Sequence, residues 1–202
     1  MAIKIYHCPG ARSLRPVWTC EEMGLDYELE VLPFPPRVHQ KDYLEINPLG
    51  TVPCMIDDGT WMSESSGICH YLVERYGPTP LRVDPSEPEY GAYLNWTYYS
   101  DATLTFPQTL YLRYTRLEPE ERRVPQVAED YRRWFLGRLR LVEAAAADRE
   151  FLVADRFTIA DVCVGYGLKL AESLGIDDFR DNTRRYWEGL KQRPAYRRIA
   201  DV

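Results

Sequence analysis

Along the first 76 residues the apolar positions change period every few residues, as they do in alternating strands and helices. β-type segments fall at 3–7, 27–32, 52–56 and 60–62, and helical stretches at 13–24 and 65–76, which predicts the order β-α-β-loop-β-β-α. In the first helix Leu14, Val17, Trp18 and Leu25 share a face, Glu21 and Glu22 point outward, and Gly24 ends it. Asp58-Gly59, between Met55-Ile56 and Trp61-Met62, is the residue pair that a two-residue type I′ hairpin needs, so the last two strands are expected to be antiparallel neighbours. A proline-rich stretch, 78–88, breaks every period and separates 1–77 from 89–202. Beyond it the pattern is helical throughout, with Tyr131, Phe135, Leu139, Val142 and Ala146 at three- and four-residue steps. Thr158-Ile159-Ala160-Asp161 is a capping box opening a helix with Ile159, Val162, Tyr166 and Leu170 on its apolar face. Pro107 lies inside a helical run over 88–116 and is expected to bend it. The pattern therefore predicts an α/β N-terminal domain and an all-α C-terminal domain.

Composition narrows the functions this architecture can serve. At 202 residues, 45% hydrophobic, a chain buries roughly 70% of its unfolded surface and needs no disulfide or metal staple. The net charge of −6, with 25 Lys and Arg dispersed among 31 Asp and Glu, offers no basic stripe for nucleic acid. No run of 18 apolar residues occurs, and the N-terminus lacks the pattern of a signal peptide, so no membrane association and a cytoplasmic location are expected. Cysteines 8, 20, 54, 69 and 163 form no Cys-x-x-Cys pair, which points to free thiols. Histidines 7, 39 and 70 have no ligand spacing, and no metal is expected.

Candidate chemistry concentrates in two segments. In Asn47-Pro48-Leu49-Gly50-Thr51-Val52-Pro53 a proline opens a strand, and a cis bond at Val52-Pro53 would leave the N–H and C=O of Val52 available to pair with an extended peptide ligand. Taken alone, Pro53 reads simply as a proline at a strand start. Eleven residues past Val52, Ser63-Glu64-Ser65-Ser66 stands at a helix start, where unpaired N–H groups and the positive dipole end hold carboxylates and Glu64 could take an ammonium group. Taken alone, these are an N-cap serine and a first-turn acid. Together they suit an α-amino acid head group.

With these segments, Tyr6-His7-Cys8-Pro9-Gly10-Ala11-Arg12-Ser13-Leu14-Arg15-Pro16 and Phe157-Thr158-Ile159-Ala160-Asp161 resemble a soluble glutathione transferase over nearly the whole chain. The resemblance implies a thioredoxin-like N-terminal domain, a helical-bundle C-terminal domain and a homodimer. It also implies glutathione as co-substrate, with its cysteinyl part on Val52 and Pro53 and its γ-glutamyl end on Glu64 and Ser65, and a small hydrophobic electrophile or a peroxide as second substrate. Pro9-Gly10-Ala11 is most similar to the bacterial beta class, but Arg12 stands where that class carries a cysteine. The thiol-activating group is left open among Ser13, Arg12, Cys8 and Tyr6, with Ser13 first. Lowering a thiol pKa by two units needs about 2.7 kcal/mol, and one charged hydroxyl bond plus a helix N-terminus supply nearly that much. Alone, Ser13 reads as an N-cap, Arg12 as a solvated loop charge, Cys8 as an unreactive strand-end thiol and Tyr6 as core. The resemblance further places His39 and Lys41 at the glycine carboxylate and Asp101 at the γ-glutamyl amine of a neighbouring subunit. A solvent-facing pair and an interface aspartate are the competing accounts. Phe106, Tyr111 and Tyr114 either line an apolar second-substrate pocket or are core. A non-catalytic glutathione-binding or protein-interaction module on the same fold is the alternative function.

Overall fold

The computed structural model describes residues 3–202, whose elements run β1 Ile3–His7, α1 Leu14–Met23, β2 Tyr27–Val31, α2 Pro36–His39, a 3-10 turn Lys41–Glu45, β3 Cys54–Asp57, β4 Thr60–Met62, α3 Ser65–Arg75, α4 Tyr90–Tyr99, α5 Phe106–Leu112, α6 Pro125–Ala145, α7 Ile159–Ser173, α8 Asp181–Lys191 and α9 Pro194–Ile199. By its internal contacts the chain divides into two units, one ending at Arg82 but regaining Gln192–Val202, the other Val83–Lys191.

The first unit has the thioredoxin-like order. Its four strands lie β2-β1-β3-β4, with β1 parallel to β2 and antiparallel to β3, and β3 antiparallel to β4. A parallel β1-β2 pair requires a crossover, which α1 supplies. The hairpin is the one expected: Asp58 (φ 47°) and Gly59 (φ 82°) both take the left-handed conformation that a type I′ turn demands. Ile3, Ile5, Leu14, Val17, Trp18, Met55, Ile68 and Leu72 are buried. Tyr6, Cys8, Leu32, Tyr43 and Cys54 form a second apolar cluster, against which Val52 and Ala11 pack.

Three expectations change here. The segment 33–46, read as loop, contains α2 and the 3-10 turn, too short for hydrophobic periodicity to register. The last eleven residues belong with the N-terminal unit rather than with a domain spanning 89–202. Trp18 and Tyr196 rings lie 4.7 Å apart, and Arg193 donates twice to Glu22 at 2.7 Å. Glu22, expected to face solvent, is for that reason largely covered and also accepts from the Trp18 indole N–H at 3.0 Å.

The second unit is helical. Phe135, Leu139, Val142 and Ala146 of the α6 stripe are buried, as are Ile159, Val162, Tyr166 and Leu170 of α7. The capping box forms: Asp161 accepts from the Thr158 N–H at 2.8 Å and the Thr158 side chain accepts from Ala160 N–H at 3.2 Å. Before Pro107, which cannot donate a backbone bond, the helix widens to π-type pairing over Ser100–Thr105, and the Thr105 hydroxyl donates to the Ser100 carbonyl at 3.0 Å. Among the described residues no helix is long and apolar enough to cross a membrane.

Candidate functional site

The loop ahead of β3 is built from inside. Asn47 is buried; its side-chain oxygen accepts from Leu49 N–H at 3.0 Å and its amide donates to the Thr51 carbonyl at 2.8 Å. The Tyr43 hydroxyl donates to that same carbonyl at 2.7 Å. Two donors on one carbonyl fix the peptide that leads into Val52. Gly50 adopts φ +58°, and a Cβ there would stand 2.5 Å from that of Arg37, so only glycine lets the loop lie against α2. The Val52–Pro53 bond is cis, and the ladder of β3 with β1 begins only at Cys54. Val52, half-buried, lies outside that ladder.

At the amino end of α1 the four thiol-activating candidates separate by accessibility. Tyr6 is buried against Tyr43, ring centroids 5.2 Å apart. Cys8 is buried too, and burial pushes its thiol up to about 11. Ser13 is fully buried, makes no capping bond, and is held instead by two partners: Cys8 N–H donates to its Oγ at 3.3 Å, and Oγ shares a 2.8 Å hydrogen bond with His7 Nδ1. Burial lowers the His7 pKa, outweighing the neighbouring backbone groups that raise it. Arg12 alone of the four is half-buried, on the turn Pro9-Gly10-Ala11 whose first two residues are exposed.

At the amino end of α3 the expected residues come together. Glu64 occupies the N-cap position, exposed and without a capping bond, and Ser65 is the first helical residue, 3% exposed. Ile68 N–H donates to the Glu64 carbonyl at 2.8 Å, so the first amides of α3 precede the helix's own hydrogen bonding. Behind Ser65 lies a residue that sequence reading passed over: Arg15, fully buried, donates from Nη1 to Ser65 Oγ at 2.8 Å. Its only sequence signal is an arginine on the first turn of α1, among the apolar Leu14, Pro16, Val17 and Trp18.

His39 ends α2 and Lys41 opens the 3-10 turn, both exposed. Asp101 lies in the π-helical segment of the helical unit, where the Thr105 hydroxyl approaches its carbonyl at 3.2 Å and its carboxylate at 3.5 Å. Phe106 is exposed and meets Tyr131 edge-on at 6.3 Å, while Tyr111 and Tyr114 are half-buried. All five cysteines are buried free thiols. Among the described residues no group of three or more His, Cys, Asp or Glu side chains could hold a metal ion.

Residues 9–75 match the family described as glutathione S-transferase, N-terminal domain. Glutathione S-transferase 3 of Schizosaccharomyces pombe is 26% identical in an alignment covering 98% of this chain and 87% of that protein. A crystal structure of a glutathione transferase from Methylococcus capsulatus, 27% identical, superposes with a TM-score of 0.83 over 98% of this chain and 97% of its own. A glutathione transferase of Phanerochaete chrysosporium, solved with oxidized glutathione, reaches a TM-score of 0.86 at 20% identity over 98% and 93% of the two chains, a likeness of fold. The strand order and these matches agree: residues 9–75 carry a glutathione S-transferase N-terminal domain, and the chain as a whole is similar in sequence and fold to glutathione transferases.

Proposed function

We propose that the chain binds glutathione on its N-terminal unit and transfers it, as thiolate, to an electrophile. The observation that carries this reading is the pairing of a strand-end residue outside the ladder, Val52, with a helix tip bearing Glu64 and Ser65. The cysteinyl amide would pair with Val52 and the γ-glutamyl α-carboxylate would accept from Ser65 and the first amides of α3. Glu64 would hold the γ-glutamyl ammonium. His39 and Lys41, both exposed cations or donors, would take the glycine carboxylate, and Asp101 of a second subunit in a homodimer would add to the γ-glutamyl contact.

For the thiol, the geometry favours Arg12 over Ser13. Ser13, Cys8 and Tyr6 are shielded, whereas Arg12 sits at the exposed turn with the α1 dipole behind it. A guanidinium about 4 Å from sulfur contributes up to about 4 kcal/mol at an effective dielectric of about 20, more than the ~2.7 kcal/mol that two pKa units require. Glutathione releases its proton to solvent. With 1-chloro-2,4-dinitrobenzene the thiolate sulfur bonds to the ring carbon and chloride leaves.

The same burial of three candidates favours a second reading, a glutathione-binding protein without turnover. One experiment separates them: ultraviolet titration of bound glutathione together with the conjugation assay. Transfer predicts thiolate absorbance at neutral pH and product formation. Binding without either result selects the second reading.

A further inference from the structure

Arg15 raises a question that packing does not answer. A guanidinium taken fully out of water is costly unless its N–H groups are engaged, and apolar side chains fill such positions more cheaply. Yet Arg15 stands on the second residue of α1, wholly buried, with its Nη1 on the hydroxyl of the first residue of α3. It joins the tips of the two helices that the glutathione reading uses.

The chemistry of that bond has a fixed direction. A guanidinium carries donors only, so in the 2.8 Å contact Arg15 donates and Ser65 Oγ accepts. A serine hydroxyl has one proton and two lone pairs. With a lone pair taken by Arg15, the proton of Ser65 points elsewhere, and no other side-chain or backbone acceptor holds it among the described residues. A cation donating to the hydroxyl oxygen also polarises its O–H, which makes it a stronger donor. Ser65 is thereby set as a donor, at the end of an 11-residue helix whose first amides and positive dipole end favour an anion.

We propose that Arg15 is a positioning residue that fixes the Ser65 hydroxyl as a donor toward a carboxylate. This rests on the reading that the tip of α3 takes the γ-glutamyl end of glutathione. Arg15 acts through Ser65, so its effect is selective: it favours a ligand carrying an α-carboxylate over an otherwise identical one without it. A role confined to packing would weaken both ligands alike.

The test compares glutathione with 4-aminobutyryl-cysteinylglycine, which lacks only the γ-glutamyl α-carboxylate, by calorimetric titration of the full chain. The wild-type protein is expected to prefer glutathione by roughly 10- to 100-fold, the range of a charge-assisted hydrogen bond. Arg15→Met and Ser65→Ala should each remove most of that preference, and the double variant should lose no more than either alone, because both act on one contact. In turnover the loss should appear in KM for glutathione more than in kcat. A folded Arg15→Met protein that keeps the wild-type preference, or that loses affinity for both peptides equally, overturns the proposal. Should Arg15→Met fail to fold, Arg15→Lys carries the test: losses that add in full to those of Ser65→Ala overturn the proposal, and losses that do not add support it. A wild-type protein that binds neither peptide overturns the assignment of the site and this proposal with it, whereas binding without a change in Arg15 variants overturns the proposal alone.

Discussion

Replacing Ser13 by alanine separates a structural serine from a catalytic one. The substitution removes the partner of His7 Nδ1, 2.8 Å away, and of the Cys8 N–H, 3.3 Å away, in a region where neither can reach water because His7, Cys8 and Ser13 are all fully buried. Each buried polar group left without a partner costs about 1–3 kcal/mol, and the 3.3 Å bond is the weaker of the two, so a loss of about 2–4 kcal/mol is expected. For a protein of this length that corresponds to a fall in Tm of roughly 4–16 °C. The variant should be compared with wild type by thermal denaturation, then assayed for conjugation well below its own Tm, with the ultraviolet pKa of bound glutathione measured in parallel. The expected result is a lower Tm with the glutathione thiol pKa unmoved and kcat/KM within about tenfold of wild type. An unchanged Tm accompanied by loss of the thiolate signal would refute this reasoning and return the catalytic role to the Ser13 hydroxyl.

Arg12→Gln should raise the pKa of bound glutathione by about one to two units, so that conjugation lost at pH 7 returns as pH rises; a profile identical to wild type would remove Arg12 from the mechanism. Cys8, pushed from 9.0 to about 11 by burial, should be roughly 100-fold poorer in thiolate at neutral pH than an ordinary thiol and should gain reactivity toward iodoacetamide only as pH approaches 11. Mass spectrometry finding a glutathione adduct on it at pH 7, or Cys8→Ser abolishing turnover, would contradict that. Gly50→Ala forces a Cβ to within 2.5 Å of Arg37 Cβ at a φ of +58°, and should lower stability by about 1–3 kcal/mol and weaken glutathione binding through the displaced Val52 loop. An unaltered melting curve for this variant would count against the loop's assigned geometry.

How far the sequence could be read depended on how local each signal was. The Asp58-Gly59 turn, the Thr158–Asp161 box and the α6 and α7 stripes are stated by neighbouring residues, and each forms as expected except that Tyr131 of the α6 stripe is half-buried, stacked on the exposed Trp134. Glu64 and Ser65 were legible as a helix start, and Val52-Pro53 as an unusual strand entry. What could not be read was set by contacts distant in the chain. Glu22 looks solvated until Arg193, 171 positions away, reaches it. Ser13 looks like a cap until His7 and the Cys8 amide take its oxygen. Nothing beside Arg15 in the chain points to Ser65, which α3 brings to it from 50 positions on.

A crystal structure of the chain with glutathione bound tests the central claim most directly. The account predicts the cysteinyl amide hydrogen-bonded to the Val52 backbone, the γ-glutamyl carboxylate within hydrogen-bond distance of Ser65 Oγ, and the sulfur nearer to the Arg12 guanidinium than to Ser13 Oγ. Glutathione bound away from Val52 and the tip of α3 would contradict it.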